Sequence, residues 1–239
     1  MAEGSVTVDS EFDEFSFCTS EEGKREILEK RKAAARDTCF SLGGFYRSCT
    51  FNEDDGKEPE PASLCRKYAD AFDPESPVGL LLWGDVGTGK SFMSSAIANR
   101  VIDRGFAACQ MDIGQIARIL ESSFENRQKN LERIFSYDLL LIEDLGAQRS
   151  TSYMMEHVYT VIDGCYKGGL PMVITTNFSL GQITCPEPGD LWERIFDRIL
   201  ERCYPIKFTV PRRKGKTVKM REEMRARLKG GVDDGATSV

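Results

Sequence analysis

The chain reads as an α/β protein, a parallel sheet of five short strands with helices on both faces, and three observations predict this. Short apolar runs alternate with amphipathic helical segments from residue 78 onward. Strand cores such as Leu139-Leu140-Leu141-Ile142 are apolar at successive positions, as strands buried on both sides require. The first strand runs straight into the glycine-rich turn Gly-Asp-Val-Gly-Thr-Gly-Lys-Ser at residues 84–91, and an amphipathic helix follows.

Residues 78–83 form the first strand, and Met93, Ala96, Ile97 and Val101 mark the inner face of the helix after the turn. A strand at 106–111 leads to a helix at 113–122 and a second helical piece at 131–135. The strand at 139–142 precedes a helix whose apolar face is Met155, Val158, Tyr159, Ile162 and Tyr166. A strand at 172–175 is followed by a loop rich in Thr, Cys and Pro, then by a helix at 192–201. A strand at 206–209 and a basic helix at 217–228 close this core, which takes in residues 75–229. Upstream, residues 21–74 read as a helical, partner-binding region. It holds a charged helix at 21–38, a loop near 54–59, and a short helix at 63–72 that Asp73-Pro74 and Pro77 end. Residues 1–20 read as a disordered acidic terminus, in which Phe12, Phe15 and Phe17 offer a small docking element. Residues 230–239 read as a disordered tail opened by Gly230-Gly231.

The turn at 84–91 matches the phosphate-binding pattern G-x-x-x-x-G-K-[ST] at Gly84, Gly89, Lys90 and Ser91. Its glycines let successive backbone N–H groups turn inward onto phosphate oxygens, and the helix behind them adds the positive end of its dipole. The candidate nucleotide contacts are Gly84, Asp85, Val86, Gly87, Thr88, Gly89, Lys90, Ser91 and Phe92. Lys90 is expected to reach the β- and γ-phosphates of a nucleotide, and the Ser91 hydroxyl to be a ligand for Mg²⁺. A glycine-rich turn alone is weak; a strand before it and a helix after it supply the missing context.

With 41% hydrophobic and 29% charged residues the 239-residue chain is globular in composition, and no apolar run approaches the roughly 18 residues of a membrane span. The amino terminus lacks the basic region and apolar core of a signal peptide, which predicts a cytoplasmic protein. A net charge of −6 argues against a general nucleic-acid coat. The charge is uneven, however: residues 1–20 hold five carboxylates and no Lys or Arg, and residues 212–229 hold nine Lys/Arg against two Glu. The basic run is either a solvated helix face or a patch for an anionic partner such as DNA. The eight cysteines include no C-x-x-C pair, so they read as reduced structural thiols. A zinc site from Cys39, Cys49 and Cys65 fits no common finger spacing. The single histidine, His157, is expected on a helix surface or satisfied locally.

A phosphate loop of this kind needs an acidic partner on a neighbouring strand, to hold Mg²⁺ and position the attacking water. Asp138-Leu-Leu-Leu-Ile-Glu143-Asp144-Leu-Gly supplies two carboxylates at the carboxyl end of a buried strand, where open α/β sheets place their ligands. The next strand ends Ile174-Thr175-Thr176-Asn177, and the Asn177 amide suits the γ-phosphate and its water. In the helix Trp192-Glu-Arg-Ile-Phe-Asp-Arg-Ile-Leu200, Ile195, Ile199 and Leu200 cover a core face, leaving Arg194 and Arg198 together on the other side.

These stations, in this order over roughly residues 39–215, resemble the AAA+ ATPases of the DnaC/IstB type, the bacterial replicative-helicase loaders and transposition helper ATPases. The segments around Cys39-Phe and Thr50-Phe-Asn-Glu-Asp-Asp-Gly are similar to the front end of loader-like proteins of phages and mobile elements. The resemblance implies an AAA+ fold with a truncated C-terminal lid, ATP/ADP and Mg²⁺ as ligands, and slow ATP hydrolysis stimulated by assembly or DNA. It implies as partners a DnaB-type replicative helicase, single-stranded DNA and further copies of the chain in a nucleotide-dependent homo-oligomer, with no membrane. Carried over by position, Lys90 and Ser91 are the loop contacts, Asn177 the first sensor, and Arg198 the arginine finger that completes a neighbour's site, supported by Arg194. The family pattern has Asp at the first acidic position. Glu143 followed by Asp144 assigns Glu143 to the Mg²⁺ side and Asp144 to water activation, with exchanged roles as the alternative. In Pro211-Arg212-Arg213-Lys214 the family's serine is missing, and Arg213 stands nearest to the second sensor.

The resemblance leaves three functions open: a helicase loader, an IstB-like transposition helper on duplex DNA, and a nucleotide-gated DNA- or partner-binding module with little hydrolysis.

Overall fold

In the computed structural model, which describes residues 21–40, 44–121, 123–146, 152–186, 190–210 and 222–226, five parallel strands send alternate side chains into two apolar layers. The strands are β1 (Gly79–Gly84), β2 (Ala108–Asp112), β3 (Leu139–Leu145), β4 (Met172–Thr176) and β5 (Cys203–Phe208), in the sheet order β2-β3-β4-β1-β5. The period of two is visible residue by residue. Leu80, Leu82, Leu139, Leu141 and Val173 enter one cluster, while Leu81, Leu140, Ile142, Met172 and Ile174 enter the other. This is the α/β sheet with both faces covered that the sequence predicts.

The helices, in chain order, are α1 (Glu21–Cys39), α2 (Gly44–Arg47), α3 (Pro59–Asp70), α4 (Lys90–Asp103), α5 (Ile113–Leu120), α6 (Phe124–Phe135), α7 (Ser152–Gly168), α8 (Leu180–Thr184) and α9 (Leu191–Arg202). A single 3-10 turn (Phe51–Glu53) lies before α3. Met93, Ile97, Val101 and Ile102 of α4 cover one face of the sheet. Ile116 of α5, Val158, Val161 and Ile162 of α7, and Ile195 and Ile199 of α9 cover the other. Asp112 caps α5 by accepting from the Gln115 backbone N–H, and the Gln115 side chain accepts the Asp112 N–H in return. Residues 180–184, expected as loop, form α8 through a second reciprocal cap between Ser179 and Gln182.

The region upstream of residue 75 packs into the same core. Cys39, Phe40, Phe51, Cys65, Ala69 and Phe72 share the cluster of β1 and α4. Two buried polar side chains fasten it. Asn99 of α4 directs Nδ2 at the carbonyls of Tyr46 (3.1 Å) and Cys49 (2.8 Å), and its Oδ1 accepts from Arg36 Nε at 3.1 Å. Glu58, 5% exposed at the start of α3, accepts the backbone N–H groups of Thr209 and Val210 on one oxygen, each at 2.5 Å, just past the end of β5. Removing that carboxylate leaves two part-buried donors unpaired. Glu58→Ala is expected to lower stability by about 2–4 kcal/mol, and Glu58→Gln by less because it keeps an acceptor. Urea denaturation monitored by circular dichroism measures both; an unchanged midpoint for Glu58→Ala would remove the fastening role.

Several expectations change. His157 does not lie on the surface: it is 5% exposed, edge-on to Tyr153 with ring centres 4.5 Å apart, and its Nε2 has no hydrogen-bond partner. Burial, aided by the Arg127 charge, accordingly pushes its pKa down. Cys39, Cys49, Cys65, Cys109, Cys165 and Cys203 are buried and form no disulfide among the described residues. Burial raises Cys65 to about 12 and Cys109 to about 11. The expectations for residues 1–20, Arg213 and residues 230–239 lie outside the described residues. Of the basic helix expected at 217–228, residues 222–226 are helical and exposed. Among the described residues no helix is long and apolar enough to cross a membrane.

Candidate nucleotide site

β1 delivers the phosphate loop at the carboxyl edge of the sheet, and the loop's shape depends on three glycines with positive φ: Gly84 (140°), Gly87 (82°) and Gly89 (104°). Gly84 has a second constraint, since a Cβ there would lie 2.1 Å from the Phe208 carbonyl oxygen on β5. Asp85, Val86 and Gly87 are exposed, while Thr88 is buried and donates from Oγ1 to the Asp85 carbonyl at 2.9 Å. α4 begins at Lys90 with Gly89 as its left-handed N-cap, so the first N–H groups of the helix face the loop.

Lys90 is 5% exposed, and Nζ uses all three of its donors: Gly84 O at 2.7 Å, Asp85 O at 2.8 Å and Asn177 Oδ1 at 2.7 Å. Desolvation lowers its pKa, opposed by the charges of Asp144, Asp85 and Glu143. Three acceptors around one nitrogen fit the ammonium form. Asn177, just past β4, is thereby joined directly to the loop lysine.

Glu143 and Asp144 diverge because the β3–β4 ladder is irregular between them. Ile142 pairs with Ile174 and Leu145 with Thr176, so three steps on β3 face two on β4. The extra residue turns Asp144 into the left-handed region at φ 54°, with its side chain exposed. Glu143 stays inside at 4% exposure. Its Oε1 accepts from Gln110 Nε2 and its Oε2 from Thr175 Oγ1, both at 2.9 Å. Burial holds the Glu143 carboxyl above its ordinary range, outweighing the facing Ser94, Gln110, Ser91 and Thr175 donors that act to lower it. Ser94 Oγ lies close but completes no well-aligned hydrogen bond. Thr175 Oγ1 also accepts the Asp144 backbone N–H at 2.8 Å, so one hydroxyl sets both acidic residues. The turn after them needs Gly146 (φ 86°), because a Cβ there would meet the Phe178 ring at 2.0 Å. Phe178 packs edge-on against Trp192 and Phe196 of α9.

These residues enclose a cleft of about 460 Å³ between Val86, Gly87, Gly89, Lys90, Ser91 and Phe92 on one side and Asp144 and Asn177 on the other. The donor set fits a hard divalent cation: the Ser91 hydroxyl and the Glu143 carboxylate, whose two oxygens are oriented by Gln110 and Thr175, are oxygen ligands of the kind Mg²⁺ takes. Bound there with a nucleotide, Mg²⁺ would neutralise phosphate charge.

Arg198 is not part of this cleft. Its Nε donates to Asp163 Oδ1 of α7 at 2.6 Å, and its guanidinium lies 5.2 Å and 5.6 Å from the Tyr159 and Tyr166 ring centres. The expectation that Arg194 and Arg198 lie side by side away from the core holds for Arg194, which is exposed. Arg198 turns onto α7, its Nη1 donating to the Arg194 carbonyl at 3.3 Å. Sequence reasoning missed Gln110 and Thr175. The signal for Gln110 was a lone amide in an otherwise apolar strand, and for Thr175 a hydroxyl one residue before the strand's end. It also missed Tyr46, half-buried, whose hydroxyl pKa is raised by burial and by the nearby charges of Glu143, Asp144 and Asp112.

Residues 75–223 match a family described as IstB-like ATP binding protein. The Replicative helicase loader DnaI of Bacillus subtilis is 24% identical over 199 residues, covering 77% of this chain and 64% of the relative, so the chain spans less than two thirds of that relative's length. The Replicative helicase loader DnaC of Escherichia coli (strain K12) is 25% identical over 184 residues, covering 72% of this chain and 73% of the relative. A solved structure, the crystal structure of the DnaC helicase loader, matches with a TM-score of 0.61 at 20% identity, over 70% of this chain and 99% of that one. At that identity the likeness is one of fold alone, the arrangement of the parallel sheet and its covering helices.

Proposed function

This chain belongs to the family of IstB-like ATP binding proteins, and from that premise we propose that it is an ATP-binding and hydrolysing helicase loader that helps deliver a DnaB-type replicative helicase onto single-stranded DNA in the cytoplasm. The observation that carries the reading is the composition of the cleft. Lys90, Ser91, Asp144 and Asn177 line it, Glu143 lies buried beside it, and Lys90 is its only cation among the described residues. Transfer of a γ-phosphoryl group develops charge that one lysine and one Mg²⁺ share with a further cation in related machinery. Arg198, held on α7 away from its own cleft, is the residue assigned to supply that cation to a neighbouring copy. Lys90 holds the phosphates, Ser91 and Glu143 hold Mg²⁺, Asp144 activates water, Asn177 senses the γ-phosphate, and Arg213 is assigned as second sensor. The similarity to two helicase loaders supports the choice of partner.

The test is assembly. Size-exclusion chromatography with light scattering, run with ATP and Mg²⁺ and with or without a DnaB-type helicase and single-stranded DNA, is expected to show a larger species only when nucleotide and helicase are both present. A monomer under every condition would end the loader reading. A second reading is an IstB-like transposition helper, compatible with the family match. That role predicts assembly on duplex DNA without a helicase. The order Glu143 then Asp144 favours a nucleotide-gated binding module, which predicts assembly without measurable phosphate release.

A further inference from the structure

We propose that Gln110 is a positioning residue for the Mg²⁺-side carboxylate, clamping Glu143 from the edge strand β2; this rests on the assignment of Glu143 to Mg²⁺ given above. Gln110 is 2% exposed, and Nε2 makes two contacts, Glu143 Oε1 at 2.9 Å and Ser95 Oγ at 3.0 Å. Ser95 Oγ in turn donates to the Ser91 carbonyl at 2.8 Å. The amide therefore bridges the acidic strand and the phosphate-loop helix, one hydrogen on each.

Its orientation is dictated by charge. Turning the amide over would set its oxygen against the Glu143 carboxylate, acceptor facing acceptor. As placed, Gln110 Oε1 is buried with no hydrogen-bond partner. An unpaired buried oxygen costs stability, and the flanking strand residues Cys109 and Met111 are apolar. The two donations are what the amide contributes at that cost.

The need for a clamp follows from Glu143 itself. A glutamate has one more rotatable bond than an aspartate, and a ligand must hold one rotamer to bind metal well. Thr175 holds Oε2 and Gln110 holds Oε1, so the carboxylate is gripped from both sides. Loss of the Gln110 grip lets it swing from the Ser91 hydroxyl.

The test measures binding of a fluorescent ATP analogue as Mg²⁺ is titrated, with EDTA giving the metal-free affinity. Gln110→Met keeps the length and removes the donors. The Mg²⁺ concentration for half-maximal effect is expected to rise about tenfold, the shift lying in the metal half-point rather than in metal-free affinity. Glu143→Gln, which removes the ligand charge, must shift the half-point further. In a Glu143→Asp background the shorter side chain lies beyond Gln110's reach, so adding Gln110→Met is expected to change the half-point less than twofold. A wild-type half-point for Gln110→Met together with a shifted one for Glu143→Gln overturns the positioning role and leaves the metal assignment standing. A wild-type half-point for Glu143→Gln overturns the assignment beneath it. Gln110→Leu serves if Gln110→Met does not fold, folding being judged by its urea midpoint.

Discussion

Lys90→Ala is expected to lower ATP turnover by at least about 100-fold and to abolish tight nucleotide binding, measured by phosphate release and by displacement of a fluorescent nucleotide. The reason lies in the loop's wiring. Nζ joins Gly84 and Asp85 on the loop to Asn177 on the neighbouring strand's end, so one side chain fixes two walls of the cleft. Alanine removes the only cation lining the cleft among the described residues. It also leaves Asn177 without the lysine that holds it. Turnover within threefold of the parent protein would mean that the phosphates are held elsewhere.

Arg198→Ala is expected to leave nucleotide binding by the isolated chain nearly intact and to lower assembly-stimulated turnover by about 10³-fold or more, the size of effect a transferred arginine has in phosphoryl transfer. The loss of fold stability should be small, on the order of 1 kcal/mol, because Asp163 keeps Lys167 Nζ at 2.6 Å after Arg198 is gone. Mixing gives the sharper result. Lys90→Ala chains retain Arg198, and Arg198→Ala chains retain the loop lysine, so a mixture is expected to recover turnover that neither variant shows alone. If the mixture stays as inactive as its components, Arg198 acts within its own fold, as its contacts with Asp163, Tyr159 and Tyr166 describe.

The parts of this site that were legible in the sequence are those whose chemistry is local. Gly84 to Ser91 form a contiguous stretch in which residue type dictates backbone shape, and Glu143-Asp144 and Asn177 stand at strand ends that the apolar runs mark out. What could not be read depends on register or on distant pairing. The irregularity that turns Asp144 outward is a relation between β3 and β4, not a property of either string. Glu58 meets Thr209 and Val210 across 151 and 152 residues, and no local pattern announces it. Arg198 was placed on the outer side of its helix by periodicity, which says nothing of the aromatic and acidic side chains of α7 waiting there. His157 was expected on a helix surface or satisfied locally because no metal-type partner lies near it in sequence, yet it is enclosed and its Nε2 has no hydrogen-bond partner.

The contact between Gly146 and Phe178 has a mechanical meaning. Phe178 follows Asn177 directly, and its ring is wedged between the turn after Asp144 and the Trp192–Phe196 stack, where those two rings lie 5.1 Å apart. A wedge so filled transmits displacement instead of absorbing it. Behind Asn177 the aromatic ring rests on α9, and the same helix carries Arg194 and Arg198 four residues apart. The strand end that holds Asn177 and the helix that holds Arg194 and Arg198 are thus joined through packed rings rather than through a loose connection.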